Sequence, residues 1–250
     1  QYRFHDGPCK GHALGNIMLA AGEQLFGSFG AAVEALSRML GTHGEVIGIT
    51  NDNPRIIATR QDGSVVKGEG IIYTSSFPKG ERLHIAFDRQ TTLAPRARTV
   101  LQAADMIVLT PGTLYCTLIP VLMVEGMKEV LSKREVPIVI VVNCLNKAGH
   151  TDGWTIRNYV DSLEAVMGRA FTHILVNSKQ PNEQQMIQYD LHAHPELLIT
   201  DDMGADTRVI RTPLISDDIV HKSSTDVLAE HRAFIRHDSL LVKEIIASLL

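Results

Sequence analysis

Three stretches of the chain are continuously apolar at strand length: residues 106–109, 137–143 and 173–177. None alternates between apolar and polar positions, so none has a face suited to water. Strands of this kind are buried on both sides, as in parallel sheets covered by helices. Between and before them the apolar residues recur at helical spacing. Residues 11–26 carry Leu14, Ile17, Met18, Ala21 and Leu25 in that pattern. Residues 28–41 predict a second helix, with Ser28 as N-cap, Val33, Leu36, Met39 and Leu40 on one face and Gly41 as its stop. Further helices are predicted over 96–104, 115–131 (broken or delayed by Pro120), 155–167, 182–189, 224–235 and 240–250.

Residues 45–50 predict a short strand that ends at Asn51-Asp52-Asn53-Pro54. Residues 56–59, 64–67 and 83–87 predict three more, with Gln61-Asp62-Gly63 as the hairpin turn between the first two. That middle section reads as a small antiparallel insertion. The order strand, helix, strand, helix, strand in the second half fits right-handed crossovers. The expected fold is therefore α/β: one three-layer, Rossmann-like domain over residues 1–250, with a mostly parallel sheet and a small antiparallel insertion.

Composition narrows the function classes. With 250 residues, 44% of them apolar, the chain can bury one substantial core. The net charge is −4 and the Lys and Arg residues are scattered, so neither nucleic acid nor an anionic membrane is an expected partner. The longest apolar runs fall far short of a membrane span. Three cysteines (Cys9, Cys116 and Cys144) without metal-type spacing argue against a disulfide framework and make a reducing cytoplasm the expected location. Homo-oligomer formation is left open. The chain starts at Gln1, and Gln1-Tyr2-Arg3-Phe4-His5 reads like the interior of a longer sequence, so a fragment is expected.

The first of the three apolar strands stops at Thr110-Pro111-Gly112-Thr113-Leu114-Tyr115, and a helical pattern starts at once. The leading N–H groups of a helix have no internal partner, and the helix dipole places partial positive charge there. A small Gly-Thr turn lets an anion come close. The bland alternative is helix capping by Thr113. Loops after the other strands are also polar: 143–153, 50–53 and 177–179. In a parallel sheet such loops gather at one edge, near a switch in strand order, although any strand end needs a polar turn. His12 and Asn16, four residues apart at a helix start, share one face and suit a phosphate and a base or sugar; capping or solvent roles compete. His192-Ala193-His194 lacks a third metal ligand, and Asp201-Asp202 and Asp217-Asp218 read as turns or caps, with magnesium held together with a phosphate as the competing reading. Cys116 lies where a helix start lowers a thiol pKa, but without a partner base it reads as packing, as does Cys144.

In order, the chain carries Tyr2-Arg3-Phe4, Gly11-His12-Ala13-Leu14-Gly15-Asn16, Pro111-Gly112-Thr113-Leu114-Tyr115 with Pro120, and Asn143 with Gly149-His150-Thr151-Asp152-Gly153. This set resembles the CofD-like (2-phospho-L-lactate transferase-like) superfamily, and within it the YvcK-type gluconeogenesis factor branch. The resemblance runs over nearly the whole chain, to His237-Asp238. It implies a Rossmann-like fold whose cleft binds a nucleotide or nucleotide sugar. In the gluconeogenesis branch it implies a UDP-sugar-binding regulator of carbon metabolism and cell shape, with no firmly implied reaction. In the transferase branch it implies magnesium-dependent transfer of a 2-phospholactyl-type group from a guanosine diphosphate carrier to a deazaflavin alcohol.

On this resemblance Gly112, Thr113 and Leu114 supply N–H donors to a diphosphate, and His12 and Asn16 face the same anion or the sugar. Asp52, Asn143 and Thr151 hydrogen-bond sugar or base. No catalytic residue is assigned, so enzyme and regulator both stand. The transferases favour a Ser-Asn-Pro type of turn where this chain has Thr113-Leu114-Tyr115, which favours the regulator branch. Other departures are Thr110 in place of a glycine, Asn53 in place of a second acidic residue and Cys116 in place of a hydroxyl residue. The family's Gly-Gly-Gly-Thr-Gly phosphate turn, with most of the acidic residues expected to hold magnesium, finds no match.

Overall fold

The structure is a computed structural model, and it describes residues 2–133, 135–218 and 235–250. Two helices open the chain, α1 (Leu14–Phe26) and α2 (Phe29–Leu40). Ser28 caps α2 by accepting from the Ala31 N–H, and Gly41 ends it in the left-handed region. The pair packs closely because Gly22 has no side chain: a Cβ there would press on Ala32. Much of their apolar surface stays uncovered, with Leu25 76% and Leu40 68% exposed.

The antiparallel insertion is three strands in the order β2-β1-β3: β1 (Ile56–Thr59), β2 (Val65–Lys67) and β3 (His84–Phe87). A short helix, α3 (Glu69–Thr74), which the periodicity did not predict, lies between β2 and β3. Residues 45–50 form no strand, contrary to the sequence pattern. Their apolar residues Ile47 and Ile49 pack singly against the core instead, and the Ile49 carbonyl is taken by the Ala94 N–H.

After α4 (Pro95–Ala103) comes the parallel sheet, β4 (Ile107–Leu109), β5 (Ile138–Val141), β6 (His173–Asn177) and β7 (Val209–Thr212). These four strands run side by side in sequence order, every pair parallel. No switch in order occurs among the described strands, so the expected switch-point cleft is absent there. The apolar run of β5 now has its reason. Ile138, Ile140 and Val142 enter the main core, while Val139 and Val141 face α9 (Ser239–Ser248) through Leu241, Val242 and Ile245. The main core also takes Ile56, Ala58 and Ile85 from the antiparallel sheet, so both sheets share it.

The predicted helix over 115–131 is broken into three pieces. A π-helical turn, Leu114–Leu118, runs into α5 (Ile119–Leu122), and α6 (Met127–Ser132) follows. Pro120 lacks an N–H, which fits the shift to five-residue bonds such as Leu118 N–H to Thr113 O. The gap before α6 is used: the Glu125 N–H donates to Thr91 O and its carbonyl accepts from Leu93. Then come α7 (Ile156–Met167) and α8 (Glu183–Gln188), each with a reciprocal capping box, Thr155 with Asn158 and Asn182 with Gln185. The helix predicted over 224–235 falls outside the described residues, apart from Ile235.

Burial makes the stability cost of two leucines differ. Leu163→Ala, at a fully buried site, is expected to lower unfolding stability by about 2–5 kcal/mol. Leu25→Ala, at an exposed one, should stay within about 0.5 kcal/mol. Urea denaturation of the two variants checks the contrast.

Candidate functional site

The loops that follow β4 and β5 open onto one cavity of about 630 Å³. Residues 111–113 form one wall and residues 143–149 another. Residues 73–76, after α3, form a third, and residues 235–237, before α9, close the fourth side with Tyr189 and Leu197. The first two walls are tied together by a single side chain. Asn143 Oδ1 accepts from the Gly112 N–H at 3.1 Å, and Asn143 Nδ2 donates to the Gly112 carbonyl at 2.9 Å. The Gly112 amide is thus occupied by the protein itself. The N–H groups of Thr113, Leu114 and Tyr115 meet no acceptor among the described residues. Thr113 lines the cavity, with its Oγ1 3.0 Å from Thr117 Oγ1, whereas the Leu114 side chain is buried in the main core.

The third wall is docked on the second through Gly149. This residue has φ +70°, and a Cβ on it would collide with Ser76. The close approach lets the Phe77 N–H donate to Gly149 O at 2.7 Å and brings His150 Nε2 to 3.1 Å from Ser75 O. The His150 ring is 5% exposed, edge-on to Phe77. Burial and the nearby Lys147 charge hold its pKa down at about 4, so at neutral pH it is an uncharged donor to Ser75 O. Thr151 is buried behind the same turn. Its Oγ1 accepts the Lys147 N–H at 2.9 Å and lies 2.9 Å from the Tyr159 hydroxyl. Thr151 therefore holds the loop from behind and does not face the cavity.

The electrostatics of the cavity are one-sided. Lys147 and Arg236 line it, and no Asp or Glu does so among the described residues. Lys147 Nζ lies 4.0 Å from the centroid of the Tyr73 ring, and burial lowers its pKa. His237 Nε2 donates to Val142 O at 3.0 Å and lies 3.3 Å from Cys144 Sγ. Burial keeps that ring towards its neutral form and pushes the Cys144 thiol up to about 12. Cys116 behaves alike: burial raises it to about 11, overriding the lowering expected at a helix start. Neither thiol has nucleophile character. Tyr189 is held at the rim by its hydroxyl, which accepts the Ile235 N–H.

Of the residues singled out from the sequence, Gly112, Thr113 and Asn143 come together at this cavity. His12 and Asn16 are exposed and do not line it. Asp52 lines a separate hollow with Thr50, Asn51 and Glu23. Its carboxylate accepts from the Thr92 N–H at 2.8 Å and from the Thr50 hydroxyl at 3.1 Å, and these bonds lower its pKa. The loops after β4, β5 and β6 therefore share the carboxyl edge of the parallel sheet, whereas residues 50–53, which follow no strand, lie apart. The loop at 177–179 folds on itself, with Asn177 bonded to Lys179 and to the Ile215 N–H. His192 and His194 lie beside Glu183 and Glu196, and Asp201 and Asp217 pair with Arg211 and Lys179. Among the described residues no group of three His, Cys, Asp or Glu side chains is placed to hold a metal, and this cavity offers magnesium no carboxylate, so its residues do not fit that ion. Lys147, Arg236, Tyr73 and Tyr189 were not predicted. An isolated lysine in the polar loop after a buried strand was a usable signal for Lys147; Arg236 and Tyr73 had none.

A parallel α/β sheet with an anion-compatible cavity beyond its strand ends is the class of protein defined here. The chain belongs to the CofD family: residues 1–219 match the family model described as 2-phospho-L-lactate transferase CofD. It is similar to the putative gluconeogenesis factor of Thermotoga maritima, 29% identical over 245 residues, spanning 98% of this chain and 74% of that protein. It is 31% identical over 256 residues to the gluconeogenesis factor of Bacillus subtilis, covering 100% of this chain and 75% of the relative. A crystal structure of a UPF0052 family member from Bacillus halodurans shares the fold, with TM-score 0.82 and 24% identity over 99% of this chain and 76% of that one. No helix among the described residues is long and apolar enough to cross a membrane.

Two outcomes test this construction. Gly149→Ala is expected to cost at least about 1 kcal/mol of stability in urea denaturation, because the side chain meets both an unfavourable φ and Ser76. The second concerns pH. The folded protein keeps His150 neutral down to about pH 4, while an unfolded chain protonates near 6.5. Between those values the unfolded state binds more protons, so stability falls as pH falls, by about 3 kcal/mol from this group. His150→Gln should flatten that slope in melting curves taken from pH 7 to pH 4.

Proposed function

We propose that the cavity beyond β4 and β5 binds the diphosphate of a nucleotide sugar, a UDP-sugar in the reading that the family resemblance favours. The chain then serves as a cytoplasmic regulator of the gluconeogenesis factor type, acting on carbon metabolism and cell shape. The observation that carries this is the one-sided wall: two cations and, among the described residues, no carboxylate beside the Pro111-Gly112-Thr113 turn. Such a wall attracts an anion and repels none. The unpaired amides after Gly112 add donors that an anion can use. Tyr189, Leu197 and Leu145 make part of the lining less polar, which suits a base or sugar ring.

A second reading, the 2-phospholactyl-type transferase, is favoured by the description of the family model that the chain matches. It calls for magnesium, and the cavity supplies no carboxylate for it. Binding without turnover is the preferred reading because Thr113-Leu114-Tyr115 stands where the transferases favour a Ser-Asn-Pro type of turn.

Calorimetric titration with UDP-N-acetylglucosamine is expected to show binding to the native chain. Thr113→Trp, which fills the turn, should weaken it at least about tenfold, or 1.4 kcal/mol. Unchanged affinity in that variant places the ligand elsewhere. Product formed from a deazaflavin alcohol and its guanosine diphosphate donor would favour the transferase.

A further inference from the structure

The cavity wall contains a positive charge that no carboxylate among the described residues cancels. Lys147 is half-buried, yet no carboxylate pairs with it among the described residues. Its ammonium lies over the Tyr73 ring, with Nζ 4.0 Å from the centroid. Half-buried ammonium groups lose water and are normally compensated by an anion. An aromatic face recovers part of that loss and leaves the charge in place.

Several fixed points hold the lysine there. Its N–H is bonded to Thr151 Oγ1, and its carbonyl accepts from the N–H groups of His150 and Thr151. The turn is pinned to residues 75–77 through Gly149 and His150. The Lys147 charge is close enough to bear on Cys116, in the first turn after Thr113. The ammonium thus lies over the Tyr73 ring and lines the same cavity as Gly112 and Thr113. His150, the titratable group nearest along the turn, is neutral and does not compete for an anion.

We propose that Lys147 determines the specificity of the cavity, selecting ligands that carry a diphosphate over neutral ligands of the same shape. This rests on the nucleotide reading above and names the residue that enforces it. A diphosphate diester brings two negative charges to a wall with two cations, Lys147 and Arg236. Such a ligand supplies the counter-charge that the lysine otherwise lacks among the described residues.

The test is calorimetry on the native chain and on Lys147→Gln and Lys147→Arg, with UDP-N-acetylglucosamine, uridine and inorganic pyrophosphate as probes. Lys147→Gln should lose at least tenfold in affinity for UDP-N-acetylglucosamine and for pyrophosphate, with less than a twofold change for uridine. Lys147→Arg should restore most of the loss, and circular dichroism should show both variants folded. Native affinity for the two anions should fall as pH is raised through the lowered lysine pKa, and Lys147→Gln should lack that fall. Anion affinity in Lys147→Gln within twofold of the native value overturns the proposal. Pyrophosphate binding that depends on Lys147, without binding of UDP-N-acetylglucosamine, keeps the anchor and removes the nucleotide reading. Absence of binding by all three probes overturns both.

Discussion

The two hydrogen bonds between the Asn143 side chain and the Gly112 backbone hold the rest of the site in place. They join the loops that leave two neighbouring parallel strands, β4 and β5, at the point where the sheet stops supplying backbone partners. Beyond a strand end every N–H and C=O must find another bond, and a carboxamide satisfies one of each. The tie fixes where the helix after Thr113 begins and therefore where its unbonded amides lie. It also consumes the Gly112 amide, so an anion at this turn has to use the donors that follow it. Removing the tie would free two loops at once.

Around that tie the protein builds a wall from distant pieces. Gly149 gives up a side chain so that the turn after β5 can lie against Ser76. His150 is buried as a neutral ring that satisfies the Ser75 carbonyl. Thr151, Tyr159 and Asn146 form a closed polar group behind the turn, with the Tyr159 hydroxyl 3.0 Å from Asn146 Oδ1, and Asn146 Nδ2 donates to the Trp154 and Glu196 carbonyls. Buried polar groups of this kind are costly when one partner is missing and rigid when all are present. The rigidity explains how a flexible lysine side chain can be presented at one place over Tyr73. Several other cations do meet carboxylates: Arg208 pairs with Asp206 and Glu164, Arg211 with Asp201 and Lys179 with Asp217. In the cavity wall, Lys147 and Arg236 stand without a lining carboxylate among the described residues.

The legible part of the chain is the part whose cause is local. Ser28 and Gly41 bound a helix because a hydroxyl cap and a left-handed glycine act on their own neighbours. The unbroken apolar run of β5 announced burial on both faces, and both cores take it. The Pro111-Gly112-Thr113 turn and Asn143 were legible as one site because each follows a buried strand. Where the local pattern misled, a longer-range contact won. Residues 45–50 had strand composition but found no neighbouring strand among the described residues, and the helix after Tyr115 gave way so that Glu125 could bond Thr91 and Leu93.

The amino-acid sequence by itself determined the α/β class, the order of most elements, the caps and the turn that opens the site, since those depend on spacings of a few residues. Only the tertiary structure decided which loops meet. It set Asp52 in another hollow, turned Thr151 inward and brought Ser75 to His150 across 75 positions of chain. The reason is physical: periodicity and capping are short-range, whereas a cavity and the balance of charge in its wall are set by packing between segments that share no sequence neighbourhood.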